Sequence, residues 1–237
     1  YKMLQYFAFS QWLGLKKYAF DNGISIIGDM PIYVAGDSAD VWANREIFKL
    51  DSNLEASDLA GCPPDYFSPD GQLWGNPVYD WRKLKKEKYA WWIERLNHSF
   101  KIYDIVRIDH FRGFESYYSI KAGSKTARKG AWRKGGGKSF FDALPKEFND
   151  RIIAENLGFL TDEVDKLLEY TGFPGMKVLQ FSFDSRDENS KTLPDDIKKN
   201  NVVYTGTHDN DTILGWSQNA DKKDVAYAMR YLNALNK

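Results

Sequence analysis

The chain has 237 residues, 43% hydrophobic and 28% charged, which is enough to bury a sizeable core and falls in the range of soluble globular chains. Its 33 Lys and Arg balance 33 Asp and Glu, so no excess charge points to nucleic acid or an anionic membrane, and an uncharged partner is expected. Cys62 is the sole cysteine, which excludes an intramolecular disulfide and leans toward a reducing compartment such as the cytoplasm. No Cys/His cluster suggests zinc. Aromatics make up 16% of the residues, including eight Trp and fourteen Tyr. Each either faces a ligand or packs the core with its polar atom satisfied.

In chain order, residues 1–20 read as an amphipathic helix, because Lys2, Gln5, Gln11, Lys16 and Lys17 interrupt the apolar residues. No run reaches the roughly 18 apolar residues of a membrane span. Short bursts rich in Ile, Val and Phe at Ile24–Gly28, Ile102–Ile108, Ile152–Ala154, Val178–Phe183 and Val202–Thr205 predict buried parallel strands. Between them, Glu87–Ser99, Thr161–Tyr170 and Leu193–Lys199 have helical patterns, and Lys222–Asn236 predicts a last helix. Thr161 is placed to cap its helix, Asp162 and Glu163 favour its first turn, and Gly172 and Pro174 stop it. Strand and helix alternate, which favours an α/β fold. Residues 35–82 and 113–150 interrupt that alternation as long insertions with little regular pattern, of the kind that form lids or substrate clamps. The second contains KGGGK at 134–138, read as a flexible hinge and not as a phosphate loop, since the P-loop spacing is missing.

Three of the apolar bursts run into an acid: VRIDHFRGF (106–114), IIAENLG (152–158) and VYTGTHDND (203–211). Strand ends of a parallel barrel converge on one face, so Asp109, Glu155 and Asp209 form a candidate set for glycosyl chemistry. Arg107 and Asp109 lie two apart on a strand and point the same way. A guanidinium there favours the ionised acid, as a nucleophile needs, although a structural Arg–Asp pair fits equally. His110 and Arg112 are weaker candidates. Glu155 follows an apolar run that would raise its pKa and suit a general acid, while an acid closing a strand also serves helix entry. His208, Asp209 and Asp211 could merely cap the next helix, and as a metal site they are a weak signal.

IIGDMPIYV (26–34), GCPPDYFSPDGQLWGNPVYDW (61–81), VRIDHFRGF, AENLG and THDND, in this order, closely resemble the 4-alpha-glucanotransferases known as amylomaltases or disproportionating enzymes. The resemblance extends over essentially the whole chain, and the 61–81 block is its most diagnostic part. It implies a (β/α)8 TIM barrel of the alpha-amylase superfamily, here a partial barrel of about strands 3 to 7 with a large insertion after the third. Residues 1–237 would form one partial catalytic domain, with 35–82 an inserted lid and acceptor-site subdomain. Asp109 matches the nucleophile, Glu155 the general acid/base and Asp209 the acid that holds substrate hydroxyls and favours a distorted ring. Arg107 and His208 match residues flanking the bound sugar, and Asp29 an acid ending an earlier strand. Tyr66, Phe67 and Trp74, in a loop stiffened by Pro63, Pro64 and Pro77, supply rings that stack on glucose and exclude water. They would otherwise anchor the loop.

The resemblance implies malto-oligosaccharides and starch- or glycogen-derived glucans as partners, with no cofactor or metal. Gly135–Gly137 stand where the family commonly has Pro between glycines, and Gly36 where a larger residue is usual. The expected activity moves an α-1,4-glucan segment to another glucan's 4-OH. An alpha-amylase-like hydrolase would use the same acids with water, and a non-catalytic glucan-binding protein would keep only the aromatic surface. Family proteins are considerably longer, so this chain is expected to expose strand edges and to be unstable or inactive alone.

Overall fold

The computed structural model describes residues 1–65, 68–158, 160–185 and 193–234. They divide into two compact units, Tyr1–Phe173 and Pro174–Lys237.

The first unit opens with helix α1 (Lys2–Asp21), of which only Ala19 is buried. Trp12 Nε1 donates to the Ile102 carbonyl at 2.8 Å and Lys16 pairs with Asp104 at 3.3 Å. Strand β1 (Ile27–Met30) follows, three residues later than the apolar burst suggested. Helix α2 (Ala39–Ala43) is capped by the Ser38 hydroxyl, and strands β2 (Asp58–Cys62) and β3 (Gln72–Pro77) form a hairpin. Helix α3 (Trp81–Lys86) is capped by Asp80, whose carboxylate accepts from the Arg82 and Lys83 amides. Lys88 and Tyr89 then adopt positive φ, 53° and 58°, so helix α4 (Ala90–Ile102) starts three residues later than its pattern predicts.

Strand β4 (Ile105–Ile108) leads into the short helix α5 (Arg112–Glu115), strands β5 (Ser116–Lys121) and β6 (Gly130–Lys134), and helix α6 (Gly137–Phe141). Strand β7 (Ile152–Ala154) and helix α7 (Asp162–Thr171) complete the unit. Thr161 occupies the cap position of α7, but its hydroxyl accepts no bond from the helix amides. Gly172 ends the helix in the left-handed conformation, φ 69°, as expected.

The strands of this unit make two sheets. Parallel β1, β4 and β7 lie in the order β1-β4-β7, and antiparallel strands lie in the order β3-β2-β5-β6. The second sheet corrects the sequence reading: the insertions 35–82 and 113–150 are regular, each supplying two strands, and β2 pairs with β5 across them. The Gly-rich hinge is corrected as well. Gly135 N donates to the Glu115 carbonyl, and a Cβ on Gly135 would lie 2.3 Å from the Phe114 carbonyl oxygen. A Cβ on Gly136 would meet the Trp81 ring at 2.8 Å. These glycines permit close packing.

Many of the aromatics pack the core. Trp92, Phe114 and Phe140 are fully buried, with centroids 5.2 Å apart for Trp92–Phe114 and 4.8 Å for the stacked Phe114–Phe140 pair. The indole nitrogens of Trp81 and Trp92 and the Tyr33 hydroxyl are buried without a hydrogen-bond partner, against the expectation that buried ring polar atoms are satisfied.

In the second unit, β8 (Gly175–Val178) pairs in parallel with β9 (Asn201–Tyr204). The strand predicted at Val178–Phe183 lies earlier: after Val178 the chain turns into a 3-10 helix at Leu179–Ser182, burying Gln180 and Ser182. The helix predicted at Leu193–Lys199 reduces to a 3-10 turn at Pro194–Asp196. Helices α8 (Ile213–Asn219) and α9 (Lys222–Tyr231) are capped by Thr212 and Asp221. No described helix is long and apolar enough to cross a membrane.

Candidate active site

Parallel pairing accounts for the meeting of distant acids. Asp29 on β1 stands opposite Arg107 on β4, and Ile108 opposite Ala154 on β7. Asp109 and Glu155 each follow their strand by one residue, so both leave the sheet at the same end. The ladder carries them outward: Asp109 N donates to Met30 O at 3.0 Å and Glu155 N to Ile108 O at 3.0 Å.

Arg107 sits between two carboxylates, with Nη1 2.5 Å from Asp29 Oδ1 and Nη2 3.1 Å from Asp109 Oδ1. Burial opposes its charge, yet the hydrogen bond and charge of Asp29, then Asp109 and Glu155, raise its pKa. Its side chain is 16% exposed, against 43% for Asp109. The pair therefore leaves Asp109 facing solvent beside a largely sheltered cation.

Glu155 is nearly buried, at 8% exposure. Its Oε2 accepts from His110 N at 2.8 Å and its Oε1 from Leu157 N at 2.9 Å. Loss of hydration and then the Asp109 charge push its pKa up to about 6, while the two amide bonds and Arg107 pull the other way. Burial wins. One acid is thus half-exposed beside a cation, and its neighbour is buried and holds its proton toward neutrality.

Trp74 stands on strand β3 itself, with Nε1 donating to Gln72 Oε1 at 2.9 Å and its ring edge-on to His110, centroids 4.9 Å apart. Tyr66 and Phe67 lie outside the described residues. Near these acids, Arg112 was a weaker candidate from sequence, while Trp132 and Cys62 had no functional assignment. The Arg112 guanidinium stacks 3.7 Å from the centroid of Trp132 on β6, and Cys62 on β2 has its thiol pushed up to about 11 by burial first, then by Asp65, with Glu155 contributing. The β5–β6 hairpin carrying Trp132 was hard to read from sequence, because eight residues separate its strands and SYYSIK is buried almost throughout instead of alternating.

His208 and Asp209 belong to the second unit, where they follow β9. The side-chain bonds of that turn are made by its other residues: Asn210 Oδ1 accepts from the Thr207 amide and hydroxyl, Thr207 Oγ1 accepts from the Asp209 amide, Asp211 accepts from Asn219, and Thr212 caps α8. Among the described residues the Asp209 carboxylate caps no helix. It is exposed, 3.4 Å from His208 Nε2. Among the described residues no group of three His, Cys, Asp or Glu is arranged to hold a metal ion.

The family model described as 4-alpha-glucanotransferase matches residues 1–237. The 4-alpha-glucanotransferase of Streptococcus pneumoniae is 60% identical over 235 residues, covering 98% of this chain and 46% of that protein. The chloroplastic/amyloplastic 4-alpha-glucanotransferase of Arabidopsis thaliana is 46% identical, covering 94% of this chain and 39% of its own length. Among solved structures, amylomaltase from Streptococcus agalactiae in complex with acarbose superimposes with a TM-score of 0.93 at 46% identity, covering 98% of this chain and 47% of that one. The chain spans about half the length of the relatives it matches. From its motifs, its mixed α/β fold and these matches, the chain belongs to the 4-alpha-glucanotransferase family.

Proposed function

We propose that the protein containing this chain is a 4-alpha-glucanotransferase that passes an α-1,4-glucan segment between malto-oligosaccharides by a retaining double displacement. The observation that carries the reading is the contrast between two neighbouring carboxyls: half-exposed Asp109 beside Arg107, and buried Glu155 with a pKa near 6. A retaining mechanism needs such a pair about 5–5.5 Å apart. Asp109 attacks the anomeric carbon while Glu155 protonates the departing glycosidic oxygen. Glu155 then takes the proton of an acceptor 4-OH as that oxygen displaces Asp109. Two inversions give net retention.

Asp209 is assigned to substrate hydroxyls, a role supported by its lack of any capping duty in its turn. Arg107, His208 and Asp29 would flank the sugar, and Trp74, Tyr66 and Phe67 would stack on it. Residues 35–82 are read as lid and acceptor subdomain, and the parallel strands as about strands 3 to 7 of a (β/α)8 barrel. The parallel order β1-β4-β7 supports this within the first unit and β8–β9 within the second.

The test grafts this chain in place of the matching segment of a full-length relative. Asp109→Asn is expected to lower turnover of maltotriose at least about a thousandfold while glucan binding persists. Retained activity would sink the assignment. Longer maltodextrins made from maltotriose indicate transfer, whereas reducing sugar rising without longer products would mark the hydrolase instead.

A further inference from the structure

We infer that His110 is a positioning residue for Glu155: its left-handed backbone, a conformation that His and Asn adopt more readily than other residues with a Cβ, aims the main-chain N–H that holds the Glu155 carboxyl. This rests on the reading of Glu155 as acid/base and adds the device that orients it.

Successive amides change partners as the chain leaves β4. Asp109 N still belongs to the sheet ladder and donates to Met30 O. His110 N turns to Glu155 Oε2 at 2.8 Å, and Phe111 N reaches Glu155 O at 2.9 Å. The change of direction occurs at His110, whose φ is +55°. Few residues with a Cβ tolerate that region, and His, Asn and Asp are enriched there. With Leu157 N on Oε1, each carboxyl oxygen receives one backbone donor, which sets the plane of the group.

The ring is held on several sides. Trp74 meets it edge-on at 4.9 Å, and a Cβ on Gly113 would lie 3.2 Å from its Cδ2, so the turn closes tightly on it. Gly113 N also donates to His110 O at 2.9 Å. Loss of hydration and then the Arg112 charge push the imidazole down to about 4, so it packs as a neutral ring. Trp74 on β3 thus packs beside the turn that holds Glu155.

The charged and titratable groups facing Glu155 are Asp109 and Arg107 from β4 and its following turn, and Cys62 from β2. Arg107 stays charged, while His110 near 4 and Cys62 near 11 keep one protonation state through the neutral range. An alkaline limb of the pH–rate profile in that range that is kept in His208→Gln therefore reports the proton on Glu155.

The experiment compares His110→Val with His110→Asn in the graft. A β-branched residue resists positive φ, so Val withdraws the N–H from Oε2, and a carboxylate that loses a donor binds its proton more tightly. The alkaline limb is expected to rise by about half to one pH unit in His110→Val, a three- to tenfold gain in proton affinity, and to stay within about 0.2 unit in His110→Asn. His110→Ala, a milder strain, is run beside them and should shift in the same direction. Where turnover is too slow for a profile, an infrared titration of the carboxyl stretch, with Glu155→Gln as the blank, reads the same shift. A limb unmoved in His110→Val, or moved equally in His110→Asn, overturns the inference. Turnover retained in Glu155→Gln would instead sink the acid/base assignment, whatever His110 does.

Discussion

A carboxyl raised from 4.5 to about 6 by burial and by a neighbouring acid keeps its proton into mildly acidic pH and costs stability once it ionises. The folded pKa lies above the unfolded one, so the stability it contributes is complete below about 4.5 and is lost as pH rises through about 6. The shift corresponds to about 2 kcal/mol. Denaturant unfolding of the parent and of Glu155→Gln from pH 4 to 7.5 should show the parent losing about that much relative to the variant as pH rises. Parallel curves would mean that Glu155 ionises as freely as in the unfolded chain. The Arg107–Asp109 contact was legible because residues two apart on a strand share a face. Asp29 was reachable only through the resemblance, since its contact with Arg107 depends on which strands pair and in what register.

At the scale of elements, apolar bursts located the strands, but the true boundaries follow packing. Val178–Phe183 looked like strand because Phe181 and Phe183 are strand-favouring residues, yet the pairing with β9 ends at Val178 opposite Tyr204. Beyond it the chain coils to bury Gln180, whose Nε2 donates to the Asp211 carbonyl at 2.7 Å. The three consecutive glycines misled in the opposite sense. Local composition suggests mobility, while the neighbouring backbone, distant in no sequence rule, demands the missing Cβ at Gly135. Gly135→Ala is therefore expected to destabilise the first unit by about 1–3 kcal/mol or more, because the obstructing atom is a carbonyl oxygen that cannot rotate away. Thermal unfolding checks this. Gly123→Ala meets no neighbour within 4 Å and separates steric from conformational cost, since its φ of +81° is itself unfavourable for Ala. A hinge would show the reverse order, with Gly135→Ala harmless.

At the scale of the whole molecule, α1 exposes Met3, Leu4, Tyr6, Phe7 and Leu15 to solvent by half or nearly half of their surface or more. An apolar helix face of this extent drives association when left uncovered. Sedimentation of the 237-residue chain is expected to show concentration-dependent self-association, reduced in Leu4→Glu/Phe7→Lys. A monomer at all concentrations would contradict this.

The sequence by itself determined the chemistry available: three strand-end acids, an arginine two residues before one of them, and an aromatic-rich segment that together identify the family. These depend on local order, on period-two alternation and on residue identity. Only the tertiary structure decided what each group does electrostatically. Burial and register are properties of several segments at once, so the proton held by Glu155, the cation shared by Asp29 and Asp109, and the turn at His110 that grips Glu155 from across the sheet became visible only when β1, β4 and β7 were laid side by side.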